Sequence, residues 1–404
     1  MKHRKETITA VLFFLLLAMG LCYIAFLFLS GQSSLREELG KLRRDPGYVL
    51  EFVEQAESAL NEDLDQSHGF IQLYGGFQRL SGRRMLEDVN QAARVVRLSN
   101  GTLNFSYPDA QPLDVSPQIQ AVNDLHDVLA QWDIPLLYVA APQKIQDGQE
   151  EALLPPGIYD YANDNADRLL AGLQAHGTDT WDLRPLFAQQ EDYASLFFRT
   201  DHHWKPEGAF LAWQELTGIL AQDYGIHTPS EYTDPANYET KVYEDYFLGS
   251  QGKRTGTLYA GTDDITEYIP RFETNFTYDS PSFAQERTGT FSQSLLFPER
   301  VAERDWFGGN PYTLYSGGDY GIATMTNHLN PDGKKIVLLR ESFSCALAPF
   351  LALSCSELTT IDLRYFDGDL LDTLREIDPD LVLTLYCVSS IGNQDLFIFQ
   401  QGET

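Results

Sequence analysis

Cationic residues are scarce in this chain: 29 Lys and Arg stand against 58 Asp and Glu, a formal net charge of −29 with a pI near 4.5. No basic face is available to neutralise phosphates, which excludes a nucleic-acid partner and disfavours adsorption to anionic lipid. The acidity reads as a solvated surface that keeps an exported protein soluble. Cysteine is equally thin. Cys22 lies in an apolar run, leaving Cys345, Cys355 and Cys387. Three thiols without a Cys-x-x-Cys pair support neither a disulfide framework nor a zinc site, and buried free thiols are expected. His126, His176, His227 and His328 show no metal-ligand spacing, so neither a metal nor a cofactor is expected. No acidic pair carries the context of a glycosidase, and Asp263-Asp264 reads as surface. Internal repeats and low-complexity tracts are absent.

What is present is enough apolar material for a globular core: 43% of 404 residues are hydrophobic. Ile8 to Leu29 is an almost unbroken apolar run, which at about 1.5 Å per residue spans roughly 33 Å, the thickness of a bilayer core. Lys2, Arg4 and Lys5 precede it, so the expectation is a single-pass signal anchor in the cell membrane, N-terminus cytoplasmic and main domain extracytoplasmic; a cleaved signal is the alternative. The division expected is residues 1–30 as tip and anchor, 31–64 as a stalk or packing helix, and 65–404 as one domain with an insertion at about 225–330.

The domain alternates strands and helices. Short continuous apolar runs at Leu136–Ala140, Lys335–Arg340, Leu358–Leu363 and Leu381–Tyr386, with a weaker one at Thr178–Leu183, read as strands. Helical spacing at Ile119–Trp132, Asp164–Ala175, Phe343–Leu353 and Leu370–Ile377 supplies the connections. This implies an α/β fold with a parallel sheet flanked by helices, and a site at the carboxyl ends of the strands. Earlier, Phe70–Tyr74 and Val95–Leu98 read as possible strands, and Asn100-Gly101 as a hairpin turn. Residues 225–330 are loop-rich, with short strands or loops such as Tyr243–Leu248 and Phe291–Leu296, and read as an insertion or lid, or else a small β module.

The chemistry gathers in Thr200-Asp201-His202-His203-Trp204-Lys205-Pro206. Residues two apart in an extended loop share a side, so Asp201 and His203 are expected to face one way, His202 and Trp204 the other. An Asp placed so fixes the tautomer of an imidazole and steadies its charge. Pro206 starts a helix with Phe210, Trp213 and Leu220 on its apolar stripe. The nucleophile expected is Ser342, two residues past a strand and just before a helix, where the amides of a helix N-terminus can bind an oxyanion. Alone, a serine there is more often an N-cap; beside an Asp-x-His loop the nucleophile reading is preferred. Three further residues have two readings each. The turn Gly317-Gly318-Asp319 is either a plain turn or, through Gly318, a second oxyanion donor. Lys144 either orients a substrate or is solvated. Trp204 either stacks on a sugar ring or packs in the core.

Thr200-Asp201-His202-His203-Trp204 resembles the signature of the DHHW proteins of Gram-positive bacteria, relatives of the alginate O-acetyltransferase proteins with SGNH-hydrolase-like domains. Arg340-Glu341-Ser342-Phe343, Ala348-Pro349-Phe350-Leu351 and Ile361-Asp362-Leu363-Arg364-Tyr365-Phe366 resemble the serine block of the same proteins, and the resemblance runs over roughly residues 130–390. It implies an Asp201–His203–Ser342 triad. Two positions depart from the pattern: Glu341 stands where relatives have Asp or a small residue, and Cys387 where they often have Asn. The function expected is O-acyl transfer, with acetyl implied by the resemblance, to a cell-envelope polysaccharide. A membrane-bound O-acyltransferase is the implied partner. An esterase with the same triad and a non-catalytic cell-surface or spore-envelope protein are the alternatives.

Overall fold

A computed structural model describes residues 11, 14, 18, 20–31, 33–44, 48, 51–52, 55–59, 68–87, 94–106 and 111–399. The chain divides into two compact units, Met1–Gln78 and Arg79–Thr404. In the first, residues 20–30 are helical, followed by α1 (Ser34–Arg44) and α2 (Gly69–Leu80). Phe70–Tyr74 therefore lies in a helix, not a strand. Phe70, Leu73, Phe77 and Leu80 repeat at three- and four-residue intervals along it, a helical and not an alternating period. Among the described residues no helix is long and apolar enough to cross a membrane, and much of the expected span Ile8–Leu29 lies outside them.

The second unit opens with β1 (Met85–Glu87), β2 (Arg94–Arg97) and β3 (Leu103–Ser106), an antiparallel sheet whose β2–β3 connection turns at Asn100-Gly101. Next come α3 (Ser116–Ala130), β4 (Leu136–Ala141), α4 (Ala162–His176), β5 (Asp179–Asp182) and α5 (Pro206–Tyr224). β6 (Tyr238–Phe247) and β7 (Asp263–Pro270) pair as a hairpin that encloses the short helix α6 (Ser250–Thr255). β8 (Phe276–Asp279), β9 (Arg287–Gly289) and β10 (Ile322–Asn327) precede the last third. That third comprises β11 (Lys335–Arg340), α7 (Ser344–Ala352), β12 (Glu357–Ile361), α8 (Leu370–Ile377) and β13 (Leu381–Cys387).

The central sheet has eight strands in the order β5-β4-β13-β11-β12-β10-β8-β9. The first five run parallel, as their continuous apolar sequences require. β10, β8 and β9 add an antiparallel edge. Residues 225–330 thus donate three strands to the main sheet and a hairpin beside it. Phe291–Leu296 is mostly a short helix, Phe291–Ser294, closed by a capping box of Thr290 and Gln293.

Period two divides each central strand between two cores. Leu137, Val139, Leu338, Leu383 and Leu385 pack against α5 and α7, while Leu136, Tyr138, Val337, Leu339, Val382 and Tyr386 pack against α3, α4 and α8. α7 is buried on every side, so it shows no polar stripe. Burial of both helix and strand on this scale leaves the turn between β11 and α7 little freedom to move.

Candidate active site

Ser342 sits on that turn. β11 ends at Arg340, the Ser344 amide donates to the Glu341 carbonyl (3.0 Å), and the Cys345 amide donates to the Ser342 carbonyl (3.1 Å) before α7 begins. The amides of Ser342 and Phe343 have no acceptor among the described residues. This is the strand-to-helix arrangement that lifts a serine above the carboxyl edge of a parallel sheet.

The Asp-His loop reaches the same edge from β5 and α5. Phe197 and Trp204 bridge across it, and the Lys205 amide donates to the Leu196 carbonyl at 2.7 Å, closing a loop that feeds Pro206 into the first turn of α5. His203 Nε2 lies 2.7 Å from Ser342 Oγ. His203 Nδ1 is hydrogen-bonded to Asp201 Oδ1, and Asp201 Oδ2 accepts the Ser250 amide at 2.6 Å. Burial alone would raise the Asp201 carboxyl; the nearby His202 and His203, together with these hydrogen bonds, outweigh it and hold the group well below the carboxylate range. Gly249 makes the approach possible, since a Cβ there would collide with the Asp201 side chain. The structure therefore brings Asp201, His203 and Ser342 into one hydrogen-bonded row.

The loop is bent, not extended, and the alternation of faces fails at His202. Its ring lies against that of His203 (centroids 3.8 Å) and its Nδ1 meets Ser250 Oγ at 3.1 Å. Tyr312 covers the other face of His203 (4.2 Å, near parallel). The His203 ring is thus held between two neighbours, with its Nε2 toward Ser342.

Trp204 is fully buried, which corrects its reading as a sugar platform. Its ring stacks on Phe187 and its Nε1–H donates to the Phe343 carbonyl at 2.8 Å, so it fastens the histidine loop to the serine turn. Tyr312 donates to the same carbonyl at 3.0 Å. Lys144 is neither solvated nor open to a substrate. It is buried, and its ammonium donates to the carbonyls of Leu103 and, at 3.3 Å, Arg199. Burial lowers its pKa to about 7 against the pull of Asp201 and Asp263. Gly318 lies next to the serine turn, where its carbonyl accepts from Arg340 Nη2 at 3.0 Å. Ser316, Gly317 and Gly318 all have positive φ (60°, 76° and 144°), a conformation that favours glycine at the last two. Arg340 also pairs with Asp319, and Arg364 bridges Asp319 and Asp362.

Sequence reading missed Asp263. It is buried, not on the surface, and accepts from the Arg199 and Thr200 amides and the Thr200 hydroxyl. An acidic pair on a hairpin gives no sign of such a role. Among the described residues two groups have ligand atoms close enough for a metal: Asp201, His202 and His203, and, at the surface, His126, Asp127 and His176. In the first, His203 Nδ1 and His202 Nδ1 are already engaged by Asp201 and Ser250. In the second, Asp127 Oδ1 joins the two imidazoles at 3.1 and 2.8 Å, a contact across two helix ends invisible in spacing alone. Cys345, Cys355 and Cys387 are buried free thiols.

A parallel sheet with its serine on the strand-to-helix turn and an Asp-x-His loop beside it defines an SGNH-hydrolase-like domain. Residues 105–258 match the family described as SGNH hydrolase-like domain, acetyltransferase AlgX. The alginate biosynthesis protein AlgX of Pseudomonas aeruginosa is 32% identical over 117 residues, 29% of this chain and 23% of that protein. Its counterpart in Pseudomonas syringae pv. tomato is 27% identical over 163 residues, 38% and 32% respectively. The matches span about a quarter to a third of those relatives. In fold, Bacillus cereus PatB1 aligns over 76% of this chain and all of its own, with 22% identity and a TM-score of 0.63. A DHHW family protein from Eubacterium siraeum aligns over 80% of this chain and all of its own, with 19% identity and a TM-score of 0.60. Residues 105–258 are thus similar in sequence to the SGNH-hydrolase-like acetyltransferase AlgX proteins, and the fold is shared with PatB1 and the DHHW family protein.

Proposed function

We propose that this chain is a membrane-anchored, extracytoplasmic O-acyltransferase that uses Ser342 to pass an acetyl group to a hydroxyl of a cell-envelope polysaccharide. The observation that carries the reading is the row Asp201–His203–Ser342, with 2.7 Å between His203 Nε2 and Ser342 Oγ. Ser342 Oγ attacks the acyl carbonyl and gives its proton to Nε2; the developing oxyanion meets the unpartnered amides of Ser342 and Phe343, with Gly318 as a further donor. The leaving group takes the proton from Nε2. A sugar hydroxyl then gives its proton to the same nitrogen and attacks the acyl-enzyme, freeing Ser342. Asp201 keeps Nδ1 protonated so that Nε2 faces the serine.

Two features support a place at the membrane. The apolar run Ile8–Leu29 follows Lys2, Arg4 and Lys5. The described part of the first unit exposes Leu21, Phe26, Leu29, Phe70, Leu73 and Phe77, more apolar surface than a soluble segment usually shows. Such an anchor would hold the site beside a membrane-bound O-acyltransferase that brings acetyl groups across the bilayer. The test is a model acyl ester offered to the purified protein with and without polysaccharide. Acceptor-dependent acylation that outpaces hydrolysis is the expected result; hydrolysis alone identifies an esterase, and no turnover a protein without catalytic activity.

A further inference from the structure

Ser342 Oγ touches two proton-handling groups: His203 Nε2 at 2.7 Å and Glu341 Oε2 at 3.2 Å. With His203 neutral, a hydrogen count gives the direction of the second contact. Asp201 takes the Nδ1–H of His203, so Nε2 of the neutral ring is an acceptor, and the one Ser342 hydroxyl proton fills it. The contact to Glu341 then contains a hydrogen only if the carboxyl supplies it. Glu341 is 3% exposed, and its other oxygen, Oε1, accepts the Cys387 amide at 3.1 Å. One oxygen serves as carbonyl and the other is left to carry a proton.

We propose that Glu341 is a neutral carboxylic acid whose O–H donates to Ser342 Oγ and serves the acyl-transfer reaction. The proposal rests on the triad reading above. The surroundings agree with it. Burial raises the Glu341 carboxyl above its ordinary range, with Asp319 adding to the rise and Arg364, the Cys387 amide and, when its ring is charged, His203 opposing it. The remaining titratable neighbours are the Cys387 thiol and the phenols of Tyr138, Tyr312 and Tyr386, all pushed up by burial and so uncharged. Arg364, the nearby cation, is hydrogen-bonded to Asp362 through Nε (2.9 Å) and Nη2 (2.6 Å) instead of to Glu341.

The donated hydrogen bond does two things. It fixes the serine rotor so that the hydroxyl proton points at Nε2 and a lone pair is left for the substrate. It also steadies Oγ as a leaving group: when the acyl-enzyme breaks, the carbon–Oγ bond cleaves, its electron pair passes to Oγ, the proton comes from His203 Nε2, and Glu341 keeps its own. Activity therefore needs protonated Glu341 and falls as pH rises through its titration.

Glutamine mimics the acid at every pH, since its oxygen can accept from Cys387 while its nitrogen donates to Oγ. The test measures the rate of Ser342 labelling by a fluorophosphonate against pH in the wild type, E341Q and E341A, together with the infrared difference spectrum of wild type against E341Q. The wild type should lose rate on the alkaline side. E341Q should stay within about tenfold of it without that loss, and E341A should be slower by about 100- to 1,000-fold, the range for removing one preorganised donor to a reacting oxygen. The infrared spectrum should show a protonated carboxyl band missing from E341Q. E341Q as slow as E341A, E341A as fast as the wild type, or a carboxylate signature alone overturns the proposal. If E341A does not fold, the pH profile of E341Q and the infrared band still decide. A wild type that shows the protonated band yet never labels overturns the nucleophile reading instead, so the two failures are separable.

Discussion

The Asp263 carboxylate accepts from the Thr200 amide at 2.7 Å and from the Thr200 hydroxyl at 2.6 Å, and it also takes the Arg199 amide at 2.8 Å. These bonds fix the residues that deliver Asp201 and His203. Asp263→Ala leaves buried donors unpaired and should cost about 2–4 kcal/mol in a urea titration at unchanged m. Asp263→Asn, which keeps an acceptor, should cost less. An Asp263→Ala protein with the wild-type midpoint would show that the clamp contributes nothing.

Lys144 ties the same loop to β3 from the other side. Its folded pKa, lowered to about 7 from the ordinary 10.5, means that the folded state binds fewer protons than the unfolded state in between. The lysine's contribution to stability is then present above the ordinary value and is lost as pH falls toward about 7. The stability difference between wild type and Lys144→Met should swing toward the wild type as pH rises across that window. Parallel pH curves for the two proteins would contradict the buried, partly neutral lysine.

Asp201 has the opposite charge and also a lowered pKa, so its contribution is present above about 3.9, the ordinary Asp value, and is lost as pH falls through its lower folded value. Asp201→Asn should be less stable at neutral pH, with the gap narrowing in acid. Turnover should fall by roughly 10⁴-fold, the scale seen where a triad loses its orienting carboxylate. A variant with near-normal turnover would mean that the tautomer of His203 is set elsewhere.

His203→Ala should abolish turnover in a folded protein. His202→Ala removes a ring that packs on His203 and a contact to Ser250, and should lower kcat by at most about 100-fold, the scale of a misplaced catalytic group, not of a missing one. The reverse order of severity would exchange the roles of the two imidazoles.

Much of this site was legible in the sequence because its signals are local. An Asp-x-His spacing before a helix-starting proline and a serine between a β-rich run and a buried helix each declare themselves within a few residues. The parallel strands were legible for the same reason, as unbroken apolar runs. What supports the triad was not. Asp263, Ser250 and Lys144 act across 63, 49 and 55 residues of sequence, and nothing in their own neighbourhoods distinguishes them from surface polar groups. The outer antiparallel strands β8 and β9 escaped because they are four and three residues long, too short for alternation to show. Trp204 was ambiguous because an aromatic beside a catalytic loop suits both a platform and a core, and only burial separates them. Glu341 looked like a mere departure from the family pattern until its oxygens were found on Ser342 and Cys387.

The most direct measurement is the mass of the active-site peptide after treatment of the folded protein with a fluorophosphonate. The account expects one adduct, on Ser342, absent in Ser342→Ala and slowed by orders of magnitude in His203→Ala. A folded wild-type protein that takes up no adduct, or takes it up on a different residue, would contradict the triad on which the proposed function stands.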